Sequence, residues 1–482
     1  MQPQNMLILM SDEHNPKMMG AAGHPLVKTP YLDGLAARGT RFTEAYTNCP
    51  ICVPARASFA TGRYVHELGY WDNSIAYDGR VEGWGHRLQD AGYRVESIGK
   101  LHYRNETDPV GLDAQHLPMH IKDGVGMVHL SIRNQFADVV PFLKPNGIIP
   151  AAGPGESDYT RYDRAIADLA CQWLGEVGDS STPWVLFVSF VTPHFPLLAP
   201  EEFFSMYPPE SMPLPKAGPG SGFQTHPWLS NYVDVTDARS YSDEQHRVAA
   251  AAYLGLVSFM DAQVGRVLDA LEANGLGGST RIMYTSDHGE NAGVRGLWGK
   301  SNHYEEAGGI PMIVAGAGVP EGKVSTTPVT LVDAHPTVLQ GTGLAYGADG
   351  TPGRSLLDLA KSADEPERVA FSEYHAARSP SAAYMVRKGR YKYIHYVGYE
   401  PELFDLQLDP EEMHDVASDP KYADVRAQLY ADLCGLLDPD AVDASANAAQ
   451  KALVESRGGP DAVLAQLVTD KSYTPVPGEL IS

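Results

Sequence analysis

Cys52-Val53-Pro54-Ala55-Arg56-Ala57-Ser58-Phe59-Ala60-Thr61-Gly62-Arg63 is the stretch on which the reading of this chain turns. Just upstream, Cys49 completes a Cys-Pro-Ile-Cys spacing. Such a pair serves as a redox couple or as half of a zinc site. Zinc needs a second pair, and the other two cysteines, Cys171 and Cys434, stand alone; both are expected to be small buried hydrophobes. A redox couple needs a small βαβ setting, which the long first segment does not match. On spacing alone an inert pair is the stronger reading. The Pro-x-Arg and Thr-Gly-Arg that follow Cys52 reverse that judgement, because the whole pattern is too long to expect by chance.

Outward from this stretch the chain alternates. Asn5 to Met10 is a short apolar run ending in Ser11-Asp12-Glu13-His14. Similar runs lie at Val95–Gly99, Trp184–Phe190, Arg281–Ser286 and Pro311–Ala315, as expected of strands covered on both faces. Between them run helical patterns. The clearest spans Ala249 to Ala273, with Leu254, Val257, Met260, Val264, Val267, Leu268 and Leu271 on one face and Asn274-Gly275 as its stop. This alternation predicts an α/β fold with a mainly parallel sheet sandwiched by helices. Polar groups gather at the carboxyl edge of such sheets. Four runs end that way: in Ser11-Asp12, Gly99-Lys100, Thr192-Pro193-His194 and Asp287-His288. Pro196–Asp243, rich in Pro, Gly and Ser, reads as an elaborated loop over the site. Beyond residue 376, Ala383–Arg387, Tyr391–Tyr396 and Leu403–Leu406 read as a strand meander, followed by a helix near Ala423–Leu437. The expected division is 1–375 and 376–482, with an Ala-rich helix and a Pro-containing tail at the end as an oligomer contact.

The 482 residues carry 37 basic and 60 acidic side chains, a formal charge of -23. Such a surface repels phosphate backbones and anionic membranes, so neither nucleic acid nor membrane is expected as a partner. For most of these charges solubility is explanation enough. An anionic substrate would need a local cluster of cations to overcome the field. No apolar run approaches the ~20 residues of a membrane helix. The amino terminus lacks a basic segment and a small-residue cleavage site, so cytoplasmic residence is the expectation.

The Cys52–Arg63 stretch resembles the signature of the type I sulfatases, in which the cysteine is oxidised to formylglycine. Ala55 departs from it, standing where that family most often has Ser. The resemblance implies an alkaline-phosphatase-like core, a small C-terminal α+β domain with an antiparallel sheet, and maturation by a formylglycine-generating enzyme. A hydrated aldehyde carries two geminal hydroxyls: one attacks sulfur and the other breaks down the covalent adduct, which a serine cannot do. One divalent cation is implied, calcium first with manganese or magnesium as alternatives, held by Asp12, Asp287, His288 and the residue made from Cys52. Glu13, where the family often has a second Asp, is not counted as a ligand.

The same resemblance assigns a cationic set. Gly99-Lys100-Leu101-His102 matches Gly-Lys-x-His, with Lys100 on formylglycine and sulfate and His102 as the base that breaks the adduct. Thr192-Pro193-His194-Phe195-Pro196 and Trp298-Gly299-Lys300 match segments whose His194 and Lys300 bind sulfate and assist the leaving oxygen. Arg56 holds formylglycine and the metal environment. Asn73, 21 residues after Cys52, matches a substrate-binding Asn of the choline-sulfatase-like branch. His226 and His303 are weaker substrate-loop candidates; Trp71, Trp228 and Trp298 are candidates for an aromatic or cationic alcohol, with packing the commoner fate. Lys28–Ala36 resembles a family passage expected to serve packing. The implied enzyme is a sulfuric ester hydrolase acting on a small sulfate ester, as a homodimer or homotetramer. The nearest rival is a phosphonate or phosphate monoester hydrolase on the same scaffold, with cross-reactivity expected. Phosphonate monoester hydrolases carry Tyr and Thr where Lys100 and His102 stand, which favours sulfate. A non-catalytic metal-binding protein with unmodified Cys52 is the rival of another class.

Overall fold

Each of the five apolar runs forms a strand. The computed structural model describes residues 5–133, 148–178, 182–218, 221–236, 240–348, 350–376, 379–466 and 474–478. An eight-stranded sheet runs in the order Lys323–Ser325, Gly39–Phe42, Met312–Ala315, Thr280–Ser286, Asn5–Asp12, Trp184–Pro193, Arg94–Lys100, Ala114–Met119. Asn5–Asp12 pairs in parallel with Trp184–Pro193 and Thr280–Ser286, and Trp184–Pro193 pairs in parallel with Arg94–Lys100. Met312–Ala315 runs antiparallel to both its neighbours, a direction that its apolar run could not reveal.

Alternation along Asn5–Asp12 builds two cores. Met6, Ile8 and Met10 join Ala55 and Phe59 of the Cys52–Thr61 helix and Val338 and Leu339 of the Ala334–Thr342 helix. Leu7 and Leu9 join Tyr162 and Ile166 of the Asp158–Val177 helix and Met260 and Val264 of the Asp243–Ala273 helix. Period two in the strand thus divides its side chains between two helical layers. The Asp243–Ala273 helix is long and apolar enough to cross a membrane, and 83% of its most apolar window is buried inside the protein, as a core helix requires. It begins six residues earlier than its apolar face suggests, because Ser242 and Gln245 form a capping box.

A second, antiparallel sheet has the order Ala370–Tyr374, Ala383–Lys388, Tyr391–Tyr396, Glu402–Asp405. The Ala423–Leu436 helix packs on it through Leu429 and Leu433. Pro196–Asp243 contains short helices at Glu201–Phe204 and Ser230–Thr236 rather than loop alone, and residues 219–220 and 237–239 of it lie outside the described residues. Cys171 is half-buried and Cys434 exposed, contrary to the expectation that both are buried; Cys434 lies on the open side of a helix whose Leu429 and Leu433 face the sheet. The Ala-rich Pro439–Ser456 helix packs on its own chain: Gln450 Nε2 donates to Asp72 Oδ2 at 2.8 Å and Arg133 Nε donates to Gln450 Oε1 at 2.8 Å.

The second sheet is tied to the segment after the Cys52–Thr61 helix by Glu373. Its Oε1 accepts from the His66 backbone N–H at 3.0 Å and from His66 Nδ1 at 2.9 Å, and its Oε2 from His375 Nε2 at 2.8 Å. Burial alone would raise this carboxyl, but the bonds from His375 and His66 bring it down to about 2. Burial lowers His375, whereas at His66 burial is outweighed by Glu373 and the histidine is raised. The folded-state value lies below the ordinary 4.5, so this stabilisation is complete above 4.5 and is lost as pH falls from there through about 2. Glu373→Gln is expected to remove roughly 3 kcal/mol at pH 7 and to flatten the acid loss in that window. Urea unfolding of both proteins at pH 7 and pH 3 measures it; equal midpoints at pH 7 contradict the assignment.

Candidate active site

The Cys52–Thr61 helix is buried along its whole length. A helix without a solvent face needs small residues, and Ala55, Ala57 and Ala60 supply them. It ends at Gly62, whose φ of 69° is the left-handed helix stop; a Cβ there would meet His335 at 2.7 Å. The Thr-Gly half of the signature therefore terminates a helix, and the Cys-x-Pro-x-Arg half delivers chemistry. Cys52 is the first helical residue, at the end where the helix dipole favours negative charge. The next backbone N–H, of Val53, donates to Asn73 Oδ1 at 3.1 Å, so Asn73 steadies this end.

Four neighbouring strands deliver the rest from their carboxyl edges. Ser11 lies beside Ser286 and Asp12 beside Pro193 in register, and Gly99 lies beside Ser189. Consequently Asp287-His288, Asp12-Glu13, His194 and Lys100-Leu101-His102 emerge side by side. Cys52 Sγ is 3.2 Å from His288 Nε2 and 3.8 Å from Asp12 Oδ1. His288 Nε2 is 3.6 Å from Asp12 Oδ1 and 3.7 Å from Asp287 Oδ1. His288 Nδ1 donates to the Gly289 carbonyl at 3.0 Å, which leaves the Nε2 lone pair facing the two carboxylates. The outer oxygens are held from behind. Arg56 Nε donates to Asp287 Oδ2 at 2.8 Å, Arg56 Nη2 reaches Asp12 Oδ2 at 3.4 Å, and Lys100 Nζ pairs with the same Asp12 Oδ2. Arg56 Nη1 also donates to the Lys100 carbonyl at 2.7 Å and to Ser189 Oγ at 2.9 Å, so its buried guanidinium is well partnered.

This donor set fits a divalent cation. Asp12, Cys52, Asp287 and His288 are buried, and their ligand atoms lie within 4.8 Å of one another. Two carboxylates and an imidazole lone pair beside the Cys52 sulfur suit a hard or borderline cation. Burial would raise the Asp12 carboxyl, but Lys100, His194, His288 and Arg56 hold it well below the usual carboxylate range. Burial, and then the Asp12 charge, pushes the Cys52 thiol up to about 12.

A second group faces this cluster. Lys300 Nζ donates to His194 Nε2 at 2.6 Å and to Glu13 Oε2 at 3.0 Å. His194 Nδ1 donates to the Phe195 carbonyl at 2.6 Å, so the ring is neutral and accepts from the lysine. Burial, and then Lys300, keeps His194 well below the ordinary histidine value. Burial opposes the charge on Lys300, yet Cys52, Glu13 and Asp12 together raise its affinity for a proton. Burial, and then Lys100 and Arg56, hold His102 well below the ordinary histidine value. Thr192, before His194, is fixed by Asp163, which accepts from its backbone N–H at 2.8 Å.

The cluster thus contains Cys52, Arg56, Asp12, Asp287, His288 and Lys100, with Lys300 and His194 linked to it and Asn73 bonded to the residue after Cys52. Glu13, set aside on sequence grounds, belongs there too: it bonds Lys300, lies 3.3 Å from His194 Nε2 and adopts a φ of 68°. Its place directly after Asp12 was the available signal. His303 and His226 instead bond the carbonyls of Ala383 and Glu400. Trp228 and Trp298 are buried packing residues, and Trp71 stacks edge-on against His375. Lys28–Ala36 serves packing: Asp261 accepts from the Leu32 N–H at 2.8 Å while Leu32 and Leu35 enter the core.

Residues 4–344 match the sulfatase family model, and residues 293–438 match the model described as N-sulphoglucosamine sulphohydrolase, C-terminal. The choline-sulfatase of Rhizobium meliloti (strain 1021) is 31% identical over 450 residues, covering 89% of this chain and 85% of that protein. Arylsulfatase K of Danio rerio is 29% identical over 482 residues, covering 92% and 85%. Among solved structures, the phosphonate monoester hydrolase of Agrobacterium radiobacter matches with a TM-score of 0.71 at 23% identity, over 90% of this chain and 95% of that one. A 2-O GAG sulfatase matches with a TM-score of 0.72 at 24% identity, over 90% and 92%. The structural likenesses carry the alkaline-phosphatase-like fold, and the family match carries the activity. This chain belongs to the sulfatase family and is a sulfatase, an enzyme that hydrolyses sulfate esters.

Proposed function

We propose that Cys52 is converted to formylglycine by a formylglycine-generating enzyme, and that the mature residue works beside one divalent cation, calcium in the first place. The single observation that carries this reading is the convergence of Cys52 Sγ, Asp12 Oδ1, Asp287 Oδ1 and His288 Nε2 in a buried pocket backed by Arg56 and Lys100. The hydrated aldehyde supplies two geminal hydroxyls, one to attack sulfur and one to expel sulfate, and the cation favours their ionised form. The remaining work belongs to the chain's own side chains. Arg56 and Lys100 hold the carboxylates and keep the pocket positive enough to admit a sulfate ester despite the acidic surface. Lys300, charged and hydrogen-bonded to His194, donates a proton from Nζ to the departing alcohol oxygen. His102, neutral, accepts the proton that must leave the second hydroxyl. Asn73 and His194 border the ester.

The test has two arms. Mass analysis of the peptide containing residue 52 is expected to show a loss of about 18 Da relative to the thiol. A substrate panel of choline, aryl and sugar sulfates, run beside aryl phosphonate monoesters, is expected to show faster cleavage of sulfates and to identify the alcohol. Faster phosphonate cleavage reverses the ranking. Division into units 1–375 and 376–482, a homodimer or homotetramer, and cytoplasmic residence belong to the same proposal; light scattering checks the oligomer.

A further inference from the structure

The chain's end returns to its first domain. Thr474 is buried, and its Oγ1 lies 2.9 Å from His102 Nε2, across 372 residues of sequence. Its carbonyl accepts from the Tyr159 hydroxyl at 2.7 Å. Two residues on, Val476 is buried in the same hydrophobic cluster as Leu7, Leu9 and Tyr159. Tyr159 also meets the His194 ring edge-on, with centroids 6.0 Å apart. One side-chain contact, one backbone contact and one apolar anchor therefore seat Thr474 at the active site.

The other nitrogen of the His102 ring, Nδ1, is buried and has no hydrogen-bond partner among the described residues. A neutral imidazole has one N–H and one lone pair, and the placement of the proton decides which nitrogen can act as a base. A buried N–H without an acceptor is rarer and costlier than a buried lone pair without a donor. The proton therefore belongs on Nε2, where Thr474 Oγ1 can accept it.

We propose that Thr474 is a positioning residue for the sulfatase reaction: its hydroxyl accepts the Nε2–H of His102 and fixes the tautomer whose Nδ1 lone pair is free to take a proton. The inference rests on the reading of His102 as the base of the sulfate-releasing step. In the full chain, Thr474 acts through His102 and makes the C-terminal tail part of the active site. No electron transfer is involved; the proton stays on Nε2 while Nδ1 gains one and later returns it to water.

The test uses the full-length protein labelled with 15N-histidine, in which unmodified Cys52 suffices, so that the readout is independent of formylglycine and cation. His102 is assigned by the signals lost in His102→Gln. In the unsubstituted protein His102 is expected to carry its proton on Nε2. Thr474→Val, which keeps the shape and removes the hydroxyl, is expected to shift that population towards Nδ1–H, and Thr474→Ser is expected to preserve it. In the mature enzyme Thr474→Val should lower kcat about tenfold, the worth of one hydrogen bond to a reacting group, with KM changed less than about twofold. Thr474→Ser should restore kcat. Tyr159→Phe, which frees the Thr474 carbonyl and leaves its hydroxyl in place, should lower kcat in the same direction and serves if the valine variant does not fold. An Nδ1–H tautomer in the unsubstituted protein overturns the proposal. So does unchanged kcat in Thr474→Val, or a rise in kcat, which would make the tail an obstruction. His102→Gln turning over at the unsubstituted rate removes the base reading itself, and the tautomer of His102 then decides the Thr474 contact alone.

Discussion

Cys52→Ala is expected to lower turnover by on the order of 10⁴-fold or more while leaving the protein folded. The chemical reason is specific to position 52. The thiol sits at the amino end of a buried helix, within 3.2 Å of His288 Nε2, and the proposed chemistry needs a hydroxyl there to reach the ester. Lys300 and His194, the side chains proposed to bind sulfate, stay in the alanine variant, so affinity is expected to survive while bond cleavage is not. Truncation at one small side chain costs about 1 kcal/mol of packing, a fraction of the 5–15 kcal/mol that holds an ordinary domain together. Thermal melts of the two proteins should therefore nearly coincide. Cys52→Ser sharpens the test. A single hydroxyl can attack sulfur but offers no second hydroxyl to expel sulfate, so one equivalent of alcohol should appear and the reaction should then stop. Sustained turnover by either variant contradicts the proposed chemistry, as does an active preparation whose residue 52 keeps its sulfur.

Asp287→Asn should be nearly as severe, about 10³-fold in kcat/KM, and unlike Cys52→Ala it should also destabilise the fold. Asp287 serves two masters. Its Oδ1 lies 3.7 Å from His288 Nε2 in the cation cluster, and its Oδ2 accepts from Arg56 Nε at 2.8 Å. Loss of one carboxylate charge weakens cation binding and leaves the guanidinium, only 1% exposed, short of its strongest partner. Stranding half of a buried ion pair costs about 3–5 kcal/mol. Metal analysis after dialysis should find less cation in the variant, and excess cation should recover part of the activity but none of the thermal shift. Full activity in dialysed Asp287→Asn would remove this residue from the cation cluster.

How much of this could be read from the chain differs from residue to residue. Asp12, Lys100, His194 and Asp287 were legible because each ends a short apolar run, and a parallel sheet collects such ends on one edge. The Met312–Ala315 run was legible as a strand but not as an antiparallel one, since a strand buried on both faces has the same composition in either direction. Glu13 escaped because its part depends on a left-handed turn at φ 68° that brings it to Lys300, 287 residues away. Cys434 escaped because periodicity shows that a helix has a buried face without saying how wide that face is.

The sequence by itself determined the residue types and part of their local setting: a cysteine opening a Cys-x-Pro-x-Arg stretch, and cations and carboxylates at strand ends. Those depend on neighbours a few positions away, so they are written within short windows. Only the tertiary structure decided that Arg56 grips both Asp12 and Asp287, that Glu13 and His194 share Lys300, and that Thr474 reaches His102. These contacts join side chains dozens to hundreds of positions apart, and their pairing is set by sheet register and by where the tail is seated, neither of which leaves a local pattern in the chain.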